Sequence, residues 1–171
     1  MMLRFRKMMA VLLAAALTLT MLTACGGGGS SSGSDETPSS DGYIWPSDCR
    51  LITSGYGGRD QPTPGASTNH MGVDIGASWG SDIYATKAGT VKVANEGWNY
   101  GLGYCVKIQH DDGTSAVYGH MSRVIAVVGQ RVAQGQVIGK IGSTGVSTGP
   151  HLHFGIIENN SWIDPLNYLT G

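Results

Sequence analysis

The 171-residue chain has little of what marks nucleic-acid-binding proteins or helical proteins. Lysine and arginine total 11 residues against 12 aspartates and glutamates, and the basic residues form no stripe interleaved with aromatic ones. We therefore expect no nucleic-acid partner. No window of twelve residues repeats its apolar side chains every 3.6 residues, which argues against long amphipathic helices.

Glycine, in contrast, is abundant, with 27 residues, and it separates short segments rich in valine, isoleucine, tyrosine and threonine. Such segments, bounded by turn residues, are typical of strands. The candidate strands are RLITSGY (50–56), GVDIGA (72–77), DIYATKAGTVKVANE (82–96), GYCVKIQH (103–110), SAVYGHM (115–121), QVIGKIG (136–142) and HLHFGII (151–157). This pattern predicts an all-β domain, an antiparallel two-sheet sandwich with short loops and minimal helix. One short helical turn is expected at DPLNYL (164–169).

A long apolar run occurs within the first 25 residues, after a basic start at Arg4, Arg6 and Lys7. The run is too short to predict a permanent membrane span, so we interpret residues 1–24 as a secretory signal peptide. It ends in LTAC, which resembles the bacterial lipobox and makes Cys25 the lipidated first residue of the mature chain. The alternative is an ordinary cleaved signal followed by an incidental cysteine.

Residues 25–42 consist of the lipidated cysteine and a glycine- and serine-rich stretch without large apolar side chains. Such a stretch is a flexible tether, with a root-mean-square span of about 20–25 Å. The folded domain is predicted at 43–171. Without the signal peptide, eight basic residues remain against twelve acidic ones, a net charge of −4. The sequence thus predicts an exported, monomeric domain, anchored by lipid to the outer face of the cell membrane and facing the cell wall.

Cysteine is scarce, and only Cys49 and Cys105 fall within the predicted domain. In an exported protein such a pair is a candidate disulfide. The competing interpretation is two unrelated buried thiols. Neither cysteine has a histidine at zinc-finger spacing, so we do not count them among metal ligands.

Histidine is also scarce, with five residues, yet two of them lie two positions apart in TGPHLHFGI (148–156). A strand points alternate side chains to opposite faces, so His151 and His153 share one face. His70 and Asp74, four residues apart in NHMGVDIGA, form a second pair. Histidine, carboxylate and histidine together suit zinc and leave its fourth position for water, as in catalytic sites. Cobalt, manganese and iron are alternatives that this set of ligands also accepts. The spacing does not decide whether His151 or His153 is the ligand.

Two histidines remain. His120 follows the strand AVYG and has a glycine beside it, so its ring can be exposed. A metal-bound water needs a base and the developing oxyanion needs a donor, and His120 is a candidate for both roles. His110 ends another strand just before the turn residues DDG, and we expect it to form local hydrogen bonds.

The segments HMGVDI, YGHMS and STGPHLHF together resemble the lysostaphin-type zinc endopeptidases of peptidoglycan. The resemblance extends from ITSGYGGR (52–59) to the closing DPLNYL and covers essentially all of the domain. It implies a fold of the duplicated hybrid motif type. It also implies one zinc ion per chain, bound by the metal ligands His70, Asp74 and His153. His120 and His151 then become the catalytic residues that act on the substrate, a peptidoglycan peptide, and on the water.

The resemblance also bears on specificity. Relatives that cut pentaglycine bridges often carry a tyrosine just before the first histidine ligand, whereas DQPTPGASTN (60–69) has two prolines and no aromatic residue. We therefore expect cleavage within stem peptides or direct crosslinks. The main alternative is a catalytically silent lipoprotein that binds peptidoglycan or activates another hydrolase. A sugar-transport phosphocarrier is disfavoured by the export signal, and a biotinyl-type carrier because Lys140 lacks the required hairpin setting.

Overall fold

The computed structural model describes residues 42–169. The predicted signal peptide at 1–24, Cys25 and all but the last residue of the predicted tether lie outside the described residues. Across 42–169, no helix is long and apolar enough to cross a membrane.

Thirteen short strands and two 3₁₀ turns make up the described region. The strands are β1 (Leu51–Ser54), β2 (Gly57–Gly58), β3 (Asn69–His70), β4 (Val73–Gly76), β5 (Asp82–Tyr84), β6 (Gly89–Asn95), β7 (Tyr104–His110), β8 (Ser115–Met121), β9 (Arg123–Val124), β10 (Arg131–Val132), β11 (Val137–Lys140), β12 (His151–Glu158) and β13 (Ser161–Ile163). Every predicted segment contains a strand, and the segment at 82–96 contains two. The five unpredicted strands have only two or three residues each, too few to show an alternating pattern.

Both helical turns are of the 3₁₀ type, at Asn99–Gly101 and Pro165–Asn167. The second is the turn predicted at DPLNYL. It begins after Asp164, whose side chain accepts a hydrogen bond from the Leu166 backbone N–H at 3.0 Å. Proline at the first helical position suits this start because its missing N–H needs no partner there.

The strands form three sheets in which every pairing between strands is antiparallel. The largest has the order β1-β4-β12-β8-β7-β6-β10, with β13 added beside β12. A second sheet has the order β5-β11-β9, and β2 and β3 form a two-stranded ribbon. The predicted all-β, antiparallel fold with minimal helix is therefore confirmed.

The core lies between the large sheet and the three-stranded sheet. Ile83 of β5 and Ile138 of β11 are fully buried in the same apolar cluster as Leu152, Phe154 and Ile156 of β12. Because side chains alternate along a strand, burying these three β12 residues turns His151 and His153 to the other face. The apolar half of HLHFGI thus fixes where its histidines point.

Cys49 and Cys105 are both free thiols, so the structure does not form the predicted disulfide. Cys49 precedes β1 at one edge of the large sheet, whereas Cys105 is buried in β7, with β4, β12 and β8 between those strands. Neighbouring strands lie about 4.8 Å apart, and a disulfide needs Cα atoms within about 7 Å. Burial raises the pKa of the Cys105 thiol. The disulfide prediction is wrong because an even number of cysteines gives no information on the distance between them in the fold.

The His110 backbone forms the predicted local hydrogen bonds: its N–H donates to the Thr114 carbonyl at 2.9 Å, and its carbonyl accepts from the Gly113 N–H at 3.2 Å. The His110 ring instead reaches a neighbouring chain segment. Its Nδ1 lies 2.9 Å from the carbonyl oxygen of Ala88, which can only accept, so Nδ1 carries the proton. Nε2 is buried, and among the described residues it has no hydrogen-bond partner.

Candidate metal centre and active site

Three strands bring His70, Asp74 and His153 together. His153 of β12 lies directly opposite Asp74 of β4 and, on its other side, opposite Gly119 of β8. His70 ends β3, and two residues separate it from the start of β4. All three side chains are buried, although each carries polar atoms.

One atom from each of these residues forms a small triangle. His70 Nε2 lies 2.9 Å from His153 Nδ1 and 3.1 Å from Asp74 Oδ1, and His153 Nδ1 lies 3.2 Å from Asp74 Oδ1. Tetrahedral zinc with bonds of about 2.0–2.1 Å places its ligand atoms roughly 3.3–3.4 Å apart. The triangle is close to that size, so these three atoms fit one zinc ion.

Hydrogen bonds on the far side of His70 settle which of its nitrogens faces the triangle. His70 Nδ1 donates to the carbonyl oxygen of Gly55 at 2.7 Å, because a carbonyl cannot donate. Nε2 therefore presents a lone pair. Such an outer hydrogen bond is the usual way in which proteins fix the tautomer of a metal-binding histidine.

The electrostatics of the triangle favour the charge states that bind a cation. Burial alone would raise the pKa of Asp74, but the neighbouring rings of His153 and His70 outweigh it and hold the pKa well below its usual range. Burial lowers the pKa of His153. An ionised carboxylate and neutral imidazoles are the forms that ligate metals.

Gly72 lies between His70 and Asp74, at a point where β12 approaches the backbone too closely for any larger residue. A Cβ atom there would lie 2.4 Å from the Phe154 carbonyl oxygen and 2.9 Å from the His153 ring. The spacing His-x-Gly-x-Asp therefore lets β4 and the preceding turn lie against β12 at the point where the triangle forms.

His120 and His151 form a second pair beside the triangle, with ring centroids 4.6 Å apart. His120 Nδ1 donates to the Thr144 carbonyl, and His151 Nδ1 donates to the Gly149 carbonyl, both at 2.8 Å. Each ring therefore carries its lone pair on Nε2. His151 Nε2 lies 3.6 Å from Asp74 Oδ1, so this pair borders the proposed metal position.

His120 has two further unusual properties. Its φ is +60°, a left-handed conformation that is uncommon for residues other than glycine and costs of order 1–3 kcal/mol. Burial, together with the neighbouring His151, lowers the pKa of His120 to about 4. A neutral imidazole at neutral pH can accept a proton.

The histidines lie in a groove with two adjoining halves, of about 260 and 240 Å³. The first half is largely apolar, lined by Met71, Tyr100, Leu102 and Trp162. The second is lined by two carboxylates, Asp60 and Asp74, and by the hydroxyl groups of Thr53, Ser54, Thr63, Ser147 and Thr148. A larger cavity, of about 520 Å³ beside Trp45 and Tyr84, contains none of the five histidine and aspartate positions. All five of those residues line the groove instead.

Arg59 is a site residue to which the sequence analysis assigns no role. Its guanidinium Nη1 lies 3.0 Å from Asp74 Oδ2, on the side of the carboxylate away from the histidines. The signal available in the sequence was its place at the end of ITSGYGGR, which takes part in the resemblance. The acceptor carbonyls of Gly55, Thr144 and Gly149 left no signal, because any residue supplies a carbonyl.

The described chain matches the profile of peptidase family M23 over residues 68–165. It is 40% identical over 121 residues to the glycyl-glycine endopeptidase ALE-1 of Staphylococcus capitis, covering 67% of this chain and 33% of that protein. The peptidoglycan DD-endopeptidase ShyC of Vibrio cholerae is 36% identical over 121 residues, covering 70% and 28%. A lipoprotein NlpD/LppB homolog of Pseudomonas aeruginosa is 36% identical over 132 residues, covering 77% and 41%. The chain therefore spans less than half the length of these relatives.

Solved structures show the same similarity. The catalytic domain of the antimicrobial peptidase lysostaphin from Staphylococcus simulans is 36% identical with a TM-score of 0.61, covering 68% of this chain and 90% of that one. A zinc-containing peptidase from Vibrio cholerae is 32% identical with a TM-score of 0.65, covering 73% and 39%.

Proposed function

This chain belongs to peptidase family M23, and from that premise we propose that it is a zinc-dependent endopeptidase that hydrolyses peptide bonds in bacterial cell-wall peptidoglycan. The observation that carries the proposal is the triangle of His70, Asp74 and His153 with two further histidine bases beside it. The relatives named as peptidoglycan and glycyl-glycine endopeptidases support the substrate class.

The metal ligands are His70 through Nε2, Asp74 through Oδ1 and His153 through Nδ1, the three atoms that face one another. When bound there, zinc supplies a Lewis acid that polarises a carbonyl and lowers the pKa of a water molecule. Two nitrogens and one carboxylate oxygen form a donor set that suits zinc among the available metals. The zinc-containing peptidase of Vibrio cholerae is a structural neighbour with the same fold, which supports this choice.

His120 and His151 handle the protons. Each holds its Nε2 lone pair toward the groove because its Nδ1–H is engaged by a carbonyl. His120 therefore accepts a proton from the attacking water, and the imidazolium so formed returns a proton to the leaving amine. His151 is near enough to share this work and, when protonated, to stabilise negative charge on the carbonyl oxygen.

Within peptidoglycan, we propose stem peptides or direct crosslinks as the target rather than glycyl-glycine bridges. The loop at 60–69, which borders both halves of the groove, supplies no aromatic side chain. Tyr100 supplies one to the apolar half from a different loop. An apolar half lined by Met71, Leu102 and Trp162 matches a methyl-bearing residue such as alanine better than glycine, because glycine has no side chain to bury there.

The cellular setting is part of the proposal. One relative is named as a peptidoglycan DD-endopeptidase and another as a lipoprotein, and both names support an extracytoplasmic location. We propose that lipid on Cys25 anchors a monomeric enzyme to the outer face of the cell membrane, with peptidoglycan peptides as its partner and no nucleic acid.

A second candidate function is a catalytically silent lipoprotein that binds peptidoglycan or activates another hydrolase. The similarity to the NlpD/LppB homolog favours it, since the name of that relative gives a lipoprotein and no activity. Against it stands the retention of all five residues, His70, Asp74, His120, His151 and His153, in one arrangement.

The deciding experiment is digestion of purified peptidoglycan by the purified protein, with zinc added or chelated, and with fragments identified by mass spectrometry. His120→Ala runs alongside, with His110→Gln as a control histidine outside the groove. New amine termini at one defined peptide bond, absent with chelator and with His120→Ala, support the enzyme and identify its bond. If the zinc-loaded protein releases nothing from several wall types yet binds them, the silent lipoprotein becomes the better proposal.

A further inference from the structure

We propose that Arg59 is a positioning residue, which aims one oxygen of Asp74 at the metal and ties that carboxylate to the wall of the substrate groove. This inference rests on the proposed zinc-dependent function. Arg59 touches neither the histidines of the triangle nor the proton-transferring pair in any hydrogen bond of the described residues, so it acts through Asp74.

The two oxygens of Asp74 have different surroundings. Oδ1 faces the histidines, at 3.1 Å from His70 Nε2, 3.2 Å from His153 Nδ1 and 3.6 Å from His151 Nε2. Oδ2 points away and accepts a hydrogen bond from Arg59 Nη1 at 3.0 Å. The arginine therefore leaves one oxygen for the metal and engages the other. A carboxylate held in this way is set to bind through a single oxygen.

The contact is sheltered. The side chain of Asp74 is 11% exposed and that of Arg59 is 20% exposed, so little water reaches the pair. If Arg59 were removed, Oδ2 would be a buried acceptor without its charged donor. The carboxylate would then be free to rotate about its Cβ–Cγ bond, because the contact that fixes its plane would be gone.

Arg59 is itself held at several points. Nη1 also donates to Ser54 Oγ at 2.6 Å, and Nε donates to the Ser67 carbonyl at 3.4 Å. The Arg59 backbone N–H donates to the Thr68 carbonyl at 2.8 Å. The three side-chain contacts, to Asp74, Ser54 and Ser67, need a planar guanidinium with several donors in a fixed arrangement, which a lysine ammonium does not provide.

The contacts to Ser67 and Thr68 join the two ends of the loop at 60–69, because Arg59 immediately precedes that loop. That loop lines both halves of the groove, through Ala66 in each and through Asp60 on the hydroxyl-rich side. Arg59 thus joins the metal ligand Asp74 to the wall along which a peptide would lie. Its loss is expected to weaken metal binding and to raise KM for peptidoglycan, two effects with one cause.

The test measures zinc affinity of the purified protein by competition with a chromophoric chelator, with zinc alone as the probe. Arg59→Lys and Arg59→Gln are compared with the wild-type protein. The matched control is Arg131→Gln, which breaks a surface pair between Arg131 and Asp111 by the same substitution. Loss of an outer partner of a metal ligand typically costs about 10–100-fold in affinity. We expect that loss for both Arg59 variants and less than twofold for the control.

A cobalt-loaded form gives a second readout that does not depend on activity. A carboxylate that changes from one-oxygen to two-oxygen binding alters the coordination number, so the visible absorption of Co²⁺ in Arg59→Lys should shift and weaken relative to wild type. Thermal melting of each metal-free variant checks folding. If Arg59→Gln does not fold, Arg59→Lys decides the question.

The outcomes separate the inference from the function on which it rests. Wild-type affinity and an unchanged cobalt spectrum in Arg59→Lys would overturn the positioning role while leaving the zinc enzyme in place. A wild-type protein that binds neither zinc nor cobalt would overturn both. Weakened zinc binding in the Arg59 variants, with the control unchanged, supports the positioning role even if the peptide bond cleaved differs from the one proposed.

Discussion

His153 lies directly opposite Asp74 in the β12–β4 pair, with 3.2 Å between Nδ1 of the histidine and Oδ1 of the carboxylate. Strand register alone therefore places two of the three proposed metal ligands. A slip of β12 by one residue would turn His153 into the core and away from Asp74, and the alternating apolar residues of β12 oppose such a slip. The register that buries the apolar side chains of β12 is consequently the same register that brings these two ligands together.

Asp74→Asn should remove most of the zinc. The amide keeps the size of the carboxylate but lacks its negative charge, and it presents a weaker ligand to the metal. We expect zinc affinity to fall by at least about 10–100-fold, judged from the smaller changes that outer partners cause. Metal content after gel filtration, measured by elemental analysis, gives the result. Full zinc content in this variant would contradict the assignment of Asp74 as a ligand.

His120→Ala should separate metal binding from catalysis. Because the triangle does not include His120, zinc should remain at one ion per chain. Loss of a general base typically lowers the rate by about 10²–10⁴-fold. The measurements are metal content and the initial rate on purified peptidoglycan, in the same preparation. Loss of zinc in this variant would move His120 into the ligand set instead.

Much of this arrangement was predictable from the sequence. The segment HLHFGI indicates a strand with one apolar face, and that alternation fixes the common direction of His151 and His153. Spacing and resemblance predict five site residues, and the structure brings all five into one groove. The longer strands are predictable for the same reason, because their side chains alternate between apolar and polar.

The remainder depends on contacts between segments that are distant in sequence. Arg59 reaches Asp74 fifteen positions away through a loop whose course no local pattern specifies. The histidines donate to backbone carbonyl groups, which every residue type carries, so the sequence does not mark those partners. Cys49 precedes β1 and Cys105 lies in β7, which are separated in the large sheet, and only the strand order reveals this. Pairwise geometry of this kind has no single-sequence signature.

His110 should make stability depend on pH. Burial lowers the pKa of His110 below its usual value of about 6.5. Between the two pKa values the unfolded chain binds more protons than the folded one, so the free energy of unfolding falls as pH decreases below about 6.5, with a slope of at most about 1.4 kcal/mol per pH unit from this group. The fall should level off below the folded pKa. Urea unfolding of the zinc-loaded protein at several pH values measures it.

His110→Gln is the variant that isolates this effect. It removes the titrating group while keeping a side chain that can donate to the Ala88 carbonyl. The difference in unfolding free energy between wild type and variant should shrink as pH falls from 7 to 5, because only the wild type loses this contribution. A difference that is constant with pH would show that His110 does not titrate on unfolding.

Gly72→Ala should disturb the metal centre by displacing the ring of His153. The added methyl group would lie 2.4 Å from the Phe154 carbonyl oxygen and 2.9 Å from the His153 ring, so backbone and ligand must both move. Overpacking of this kind costs about 1–3 kcal/mol, and displacement of His153 should weaken zinc binding in the same variant. Gly58→Ala is the matched control, since a Cβ atom there meets nothing within 4 Å. Chemical denaturation and chelator competition measure the two effects. Equal stability and equal zinc affinity in the two variants would mean that the β3–β4 turn can relax away from β12, and that glycine in HMGVDI is not a requirement of the metal centre.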